Sequence, residues 1–138
     1  VPRAQSLAGL ANATGLAGTF HVKQENGVRI LDDTYNISPL SLRAALAWAE
    51  SQPERPRVLL TAGLLEVGDE EERFMREIGL FARGKIERAV ITGGDGTAAF
   101  AQAFDGPVDD TPTGRVAPGS LLLCVGRLPR ATIRSLLP

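Results

Sequence analysis

The sequence has little of what several large classes of protein require. Its 138 residues include one cysteine and one histidine, aromatic residues make up only 5%, and the net charge is −1. A single cysteine forms no internal disulfide, which favours a cytoplasmic protein, and the small net charge gives no reason to expect nucleic-acid or membrane binding. The sequence contains no run of about 18 apolar residues, so it predicts no membrane span. The N-terminus lacks the pattern of a secretory signal.

The scarce residues that could carry chemistry are predicted to be structural. Cys124 lies in the apolar run Leu121–Val125, which predicts a buried thiol that packs as a small hydrophobic side chain. His21 has no cysteine or histidine partner at ligand spacing, so we interpret it as a surface residue of a hairpin. No serine lies in a G-x-S-x-G context and no G-x-x-x-x-G-K-[ST] loop occurs. The sequence therefore predicts neither a catalytic residue nor a metal site in this chain.

Apolar strand-like runs alternate with helical segments from about residue 20 onward. Asn26-Gly27 predicts a tight hairpin, and Ser38-Pro39 predicts the start of a helix, with serine as the N-cap. The strands are predicted at 20–23, 28–31, 57–61, 87–92, Val108 and 121–125, and the helices at 38–51, 70–82, 97–104 and 131–137. This order predicts one mostly parallel α/β domain over residues 19–138 with an N-terminal antiparallel hairpin, preceded by a linker or lead-in at 1–18.

The segment DDTYNISP, from Asp32 to Pro39, holds the densest group of polar side chains. It follows an apolar strand and precedes an Ala/Leu-rich helix, and ligands of α/β proteins bind at the carboxyl ends of strands. The two adjacent carboxylates point to opposite faces of an extended chain, so one of them would reach a given ligand. A simple turn, with Ser38 as a helix cap and Asp33 in solvent, explains the same residues.

Two further groups allow a binding function. Gly93-Gly94-Asp95-Gly96 lacks both the lysine of a phosphate loop and the third glycine of G-x-G-x-x-G. We therefore predict a tight strand-to-helix turn there, with a generic nucleotide-binding loop as a weaker alternative. Arg127, Arg130 and Arg134 could bind a carboxylate or phosphate, although solvated helix charges are the commoner outcome.

Two ordered segments resemble a known family. Residues 30–46, ILDDTYNISPLSLRAAL, resemble the D-D-x-Y-N-x-x-P-x-S-x-x-A-A-L signature that opens the C-terminal, glutamate ligase-like domain of Mur ligases. Residues 60–68, LTAGLLEVG, resemble the following strand and G-x-x-E-[LV]-G loop of the same domain. The likeness is to the MurF type, which adds D-alanyl-D-alanine to UDP-N-acetylmuramoyl-tripeptide.

The resemblance implies a Rossmann-like three-layer sandwich that closes over ATP in a cytoplasmic ligase of peptidoglycan precursor synthesis. In that reaction a carboxylate is phosphorylated and an amine attacks the acyl phosphate. The implied partners are a central ATPase domain and a UDP-binding domain, which would hold most of the ATP, Mg²⁺ and UDP-muramoyl peptide; this chain alone is expected to be inactive. The implied nucleotide contacts are Asp32, Asp33, Tyr35 and Asn36, and the implied contacts to the substrate, including an amino acid or dipeptide, are Ser41, Glu66 and Arg127.

Two positions depart from the family pattern. Thr19 follows Gly18 where the family usually has a Gly-Arg pair whose arginine reaches the ATP phosphate. The segment VGRL at 125–128 stands where a K-G-S-R segment is common. Both departures favour an alternative function, that of a non-catalytic Rossmann-like binding or interaction domain derived from a Mur ligase.

Overall fold

The computed structural model describes residues 18–35, 38–64 and 67–138. Its strands are β1 (His21–Glu25), β2 (Val28–Asp33), β3 (Arg57–Thr61), β4 (Arg88–Ile91), β5 (Val108–Asp109) and β6 (Leu121–Val125). Its helices are α1 (Pro39–Glu50), α2 (Glu71–Ala82), α3 (Thr97–Phe104) and α4 (Arg130–Leu136), and a 3₁₀ turn, Gly68–Glu70, precedes α2. The predicted order of strands and helices is confirmed, with ends that differ by one or two residues.

The strands of the described ranges form one sheet in the order β1-β2-β6-β3-β4-β5. Strand β1 is antiparallel to β2, and every other neighbouring pair is parallel. The β1–β2 hairpin turns at Asn26 and Gly27, which have φ values of 53° and 80°; both residue types tolerate this left-handed region. The predicted mostly parallel sheet with an N-terminal hairpin is thus confirmed.

Both faces of the sheet are buried, which explains the continuous apolar runs of the central strands. Leu31, Leu59 and Leu123 face one hydrophobic cluster, which also contains the apolar residues of α1, α2 and α3. Ile30 and Leu122 face a second cluster, which contains those of α4. Helices on both sides of a parallel sheet make the three-layer sandwich that the resemblance implied. None of the helices in the described ranges is both long and apolar enough to cross a membrane.

The end of β2 differs from the prediction. The strand continues to Asp33, so that Asp32 pairs with Cys124 and Asp33 with Val125 of β6, whereas the sequence predicted an end at Leu31. The extension is stable because β6 supplies backbone partners and both carboxylates find donors within the fold. Residues 1–17, most of the predicted linker, lie outside the described ranges.

Helix α1 begins as predicted, at a serine cap. The Ser38 Oγ accepts a hydrogen bond from the Ser41 N–H at 3.1 Å, and Pro39 occupies the first helical position. The cap satisfies one of the free N–H groups of the first turn. The cap also fixes the residue at which the segment after β2 ends and α1 begins.

Candidate functional site

The carboxyl ends of β2, β6 and β3 lie side by side in the sheet. We call the cavity at this edge, which is lined by Thr34, Tyr35 and Arg127, the central crevice. Strand β2 leads to α1 on one face of the sheet, whereas β6 leads to α4 on the other. Adjacent strands whose connections leave on opposite faces form a topological switch point, where α/β proteins bind ligands. The two segments that resemble the Mur ligases, at 30–46 and 60–68, include the carboxyl ends of β2 and β3, which lie on either side of β6.

The two carboxylates at the end of β2 have partners within the fold. Asp32 Oδ1 accepts hydrogen bonds from the Thr34 hydroxyl at 2.7 Å and the Thr34 N–H at 3.2 Å, and Lys23 Nζ lies 3.7 Å from Asp32 Oδ2. Asp33 Oδ1 accepts from the Phe20 N–H at 3.0 Å. The residues are 6% and 2% exposed. Both carboxylates therefore hold the hairpin and the turn after β2 in place, and their predicted contact with a nucleotide stays a prediction.

Among the predicted site residues that lie in the described ranges, Tyr35 and Arg127 are the most open to a ligand. Tyr35 is 75% exposed, and Arg127 is also exposed. Together with Thr34 they line a cavity of about 290 Å³. A phenol ring beside a guanidinium can bind a base or sugar together with an anionic group.

Three predicted site residues remain: Ser41, Asn36 and Glu66. The Ser41 Oγ lies 2.9 Å from the Ser38 Oγ, so its hydroxyl belongs to the cap of α1. Asn36 and Glu66 lie outside the described ranges. Their predicted roles stay predictions, as does that of Ser41.

The two positions that depart from the family pattern flank the same crevice. The Gly18 carbonyl accepts the Tyr35 N–H at 2.7 Å, so the chain before β1 supports the turn that carries Tyr35. Thr19 beside it is exposed, and it carries no positive charge. Val125 is buried in β6, 1% exposed, and packs in the core.

A second opening, which we call the outer cleft, lies at the carboxyl ends of β4 and β5 and has a volume of about 730 Å³. The predicted tight turn at 93–96 connects β4 to α3 at this edge of the sheet. The cleft is lined by Ile91, Thr92, Gly93, Gly94, Thr97, Ala98, Ala101, Val108, Asp109, Asp110 and Thr111. Asp109 is paired with Arg88 at 2.9 Å, and none of the lining residues is basic.

Cys124 is buried as predicted, and His21 lies on the predicted hairpin but is less exposed than a surface residue. Cys124 is fully buried in β6; burial, followed by the charge of Asp32, raises the pKa of the thiol, which disfavours the thiolate that acts as a nucleophile. His21 is half-buried on β1. Within the described ranges, no group of three or more histidine, cysteine or acidic side chains is arranged to hold a metal ion.

Sequence reasoning missed three residues that shape these loops: Lys23, Thr34 and Glu71. The position of Lys23 could have been predicted from the sequence, because the Asn-Gly turn fixes the register of the hairpin, and this register places Lys23 near Asp32. Thr34 lies inside the DDTYN segment, but its hydrogen bonds to Asp32 depend on the turn. Glu71 belongs to an acidic run that predicts only a favourable helix N-terminus, and nothing in the sequence marks it as buried.

Comparison with known proteins identifies the family. The model of the Mur ligase, glutamate ligase domain matches residues 19–120. The chain belongs to this family. A curated relative, the UDP-N-acetylmuramoyl-tripeptide--D-alanyl-D-alanine ligase of Bacillus subtilis, is 37% identical to this Mur ligase domain over 92 residues, which make up 65% of the chain and 20% of the relative.

Solved MurF structures share the fold of this Mur ligase domain. MurF from Thermotoga maritima, crystallised with ADP, aligns with a TM-score of 0.66 and 23% identity over 92% of the chain and 31% of that structure. MurF from Acinetobacter baumannii aligns with a TM-score of 0.71 and 19% identity over 99% of the chain and 34% of that structure. The chain thus spans between a fifth and about a third of the length of these relatives.

Proposed function

We propose that this chain is the C-terminal domain of an ATP-dependent ligase that makes an amide bond in a peptidoglycan precursor, as MurF-type enzymes do. The observation that carries the proposal is the position of both family-like segments at the carboxyl ends of β2 and β3, on either side of β6, with the exposed Tyr35 and Arg127 at the same edge of the sheet. The proposed substrates are a UDP-muramoyl peptide and an incoming amino acid or dipeptide. In this proposal residues 19–138 form the domain and residues 1–18 form the linker.

The proposed role of the chain is to position substrates and to exclude water. Tyr35 contacts the base or ribose of a nucleotide, and Arg127 neutralises the negative charge that builds up beside the reacting groups. Asp32 and Asp33 keep the turn that carries Tyr35 in one conformation, through Thr34 and Phe20. Closure of the domain removes water, which would otherwise hydrolyse an acyl phosphate.

The residues of the crevice fit one edge of a nucleotide. A guanidinium and an exposed phenol ring suit a phosphate and a sugar or base, but a cavity of about 290 Å³ leaves most of a nucleotide to be bound elsewhere. ATP, when bound, supplies the phosphoryl group that activates the substrate carboxylate. In this proposal Mg²⁺ and most of the ATP are held by the central ATPase domain, and the UDP group by a further domain.

The test is an amide-forming assay of the full-length parent protein with ATP, a UDP-muramoyl tripeptide and D-alanyl-D-alanine. We expect Arg127→Ala to lower kcat/KM by about 10- to 100-fold, the range for losing one hydrogen bond to a charged group. Tyr35→Ala should lower it by about tenfold, as for the loss of an aromatic contact with a base. Arg115→Ala, which removes an exposed arginine from the segment that precedes β6, is the matched control and should change kcat/KM less than about twofold. Unchanged kinetics in both crevice variants would overturn the site, and a parent protein that forms no amide would overturn the function.

The alternative is a non-catalytic binding or interaction domain that kept the fold. Thr19 and Val125 favour it, because neither supplies the positive charge that the family usually has at these positions. Nucleotide titrations of the parent protein and of its Thr19→Arg variant discriminate the two functions. We expect Thr19→Arg to raise ATP affinity if the ligase site is intact, whereas no gain, together with no amide formation, favours the non-catalytic domain.

A further inference from the structure

The loops that follow β3 and β4 meet at one buried carboxylate. Glu71, the first residue of α2, is 9% exposed, and its Oε1 accepts a hydrogen bond from the Leu64 N–H at 3.4 Å. Gly94 approaches this oxygen so closely that a β-carbon at position 94 would overlap it, and one at Gly63 would lie 2.5 Å from the Gly93 carbonyl oxygen. The side chain of Glu71 therefore occupies the space between the two loops.

The neighbours of Glu71 show that this position is unusual. Glu70 and Glu72 make exposed ion pairs with Arg73 and Arg76 on the surface of α2, and such pairs contribute little to stability. Glu71 turns inward instead, although burying a carboxylate is unfavourable unless donors compensate it. The Leu64 N–H and the N-terminus of α2 provide that compensation, so the burial of Glu71 fixes the position of a loop.

We infer that Glu71 is a positioning residue that holds Gly63 and Leu64, which follow β3, against the turn that follows β4. Leu64, which it anchors, is two residues before Glu66 in the sequence, and Glu66 is a predicted substrate contact. The consequence for catalysis rests on the proposed function. The consequence for the loop does not, and it can be measured on the 138-residue chain alone.

The first experiment measures amide hydrogen exchange in the chain by NMR. In Glu71→Ala we expect the Leu64 amide to exchange about tenfold faster, as for the loss of a hydrogen bond to a charged group, while amides of β3 such as Leu59 change much less. Glu72→Ala is the matched control and should leave Leu64 unchanged. An equal acceleration at Leu64 and Leu59, or none at Leu64, would overturn the inference. So would a Glu71→Gln variant that loses as much protection as Glu71→Ala, because glutamine keeps an acceptor oxygen.

The second experiment measures steady-state kinetics of the parent protein. We expect Glu71→Ala to raise KM for the amine substrate by about tenfold, with kcat and KM for ATP within about threefold of the wild type. If kcat, KM for the amine and KM for ATP all change by a similar factor, or if Glu72→Ala changes them in the same way, the role of Glu71 is purely structural. A wild-type parent that forms no amide would refute the proposed function, while the exchange of Leu64 would still decide whether Glu71 positions the loop.

Discussion

The central crevice and the outer cleft are built on the same edge of one sheet, yet they differ in size and in charge. The outer cleft is larger, about 730 Å³ against about 290 Å³, but its lining contributes Asp109 and Asp110 and no basic side chain. The central crevice contributes Arg127 and the phenol of Tyr35. A nucleotide is strongly anionic, so Coulomb energy favours the smaller opening. The chemistry of the lining, more than its volume, identifies the candidate site.

Topology explains why the two openings differ. The central crevice lies between β2, β6 and β3, where the connections leave on opposite faces of the sheet. The outer cleft lies beyond this point, at β4 and the two-residue edge strand β5. The loops that follow β3 and β4 approach each other at Gly63 and Gly93. A substitution at Gly63 therefore tests how closely the two loops are packed.

The largest effect on stability is expected from Gly63→Ala. Gly63 has a φ of +84°, and a β-carbon there would lie 2.5 Å from the Gly93 carbonyl oxygen. Backbone strain and overpacking together should lower the free energy of unfolding by about 2–4 kcal/mol, measured by urea denaturation.

The matched control is Gly84→Ala. Gly84 also has a positive φ, +75°, but a β-carbon there would meet nothing within 4 Å. In this variant the free energy of unfolding should fall by only about 1 kcal/mol, because the backbone is strained but no atoms overlap. Equal losses at the two glycines would show that the two loops are not in close contact.

Asp33→Ala tests whether the carboxylates of the central crevice stabilise the fold. The variant removes the acceptor of the Phe20 N–H and should cost about 1–3 kcal/mol. Asp95→Ala, at an exposed aspartate of the 93–96 turn, is the control and should stay within about 0.5 kcal/mol. If Asp33→Ala leaves the free energy of unfolding unchanged, Asp33 does not stabilise the fold, and contact with a ligand would be its remaining role.

Much of the fold follows from local patterns in the sequence. The Asn26-Gly27 turn, the Ser38-Pro39 helix start and the continuous apolar runs are each determined by neighbouring residues, and each is confirmed. The end of β2 was placed too early, because adjacent aspartates resemble a loop. The backbone pairing that extends the strand comes from β6, about 90 residues further along the chain, while the two carboxylates accept hydrogen bonds from Phe20 and Thr34.

The candidate site was predictable to a smaller extent. The density of polar residues and the family resemblance both indicated the DDTYN segment, and Arg127 was likewise a candidate on both grounds. The structure brings Tyr35 and Arg127 to one cavity. Sequence alone could not show that Asp32 accepts hydrogen bonds from Thr34, since these depend on the conformation of the turn after β2. The buried position of Glu71 was not foreseen either.

Nucleotide binding by the parent protein compares the two openings directly. Arg127→Ala should weaken ATP affinity by about tenfold, which corresponds to about 1.4 kcal/mol, because it removes the positive charge of the central crevice. Asp110→Ala removes an exposed carboxylate from the outer cleft and should leave the affinity unchanged. Calorimetric titration would contradict this assignment if Asp110→Ala strengthened binding while Arg127→Ala had no effect.

The smallest effect is expected at the helix caps, where the two regions also differ. Helix α1, at the central crevice, is capped by Ser38, whereas α3, at the outer cleft, starts at Gly96 without a side-chain cap. Ser38→Ala should therefore cost about 1 kcal/mol. Ser51→Ala, at the exposed C-terminal end of the same helix, should cost less than about 0.5 kcal/mol. If Ser38→Ala lowers stability but leaves ATP affinity unchanged, the cap of α1 is not needed to position Tyr35. A parallel loss of affinity would mean that the cap of α1 is also needed to hold the crevice.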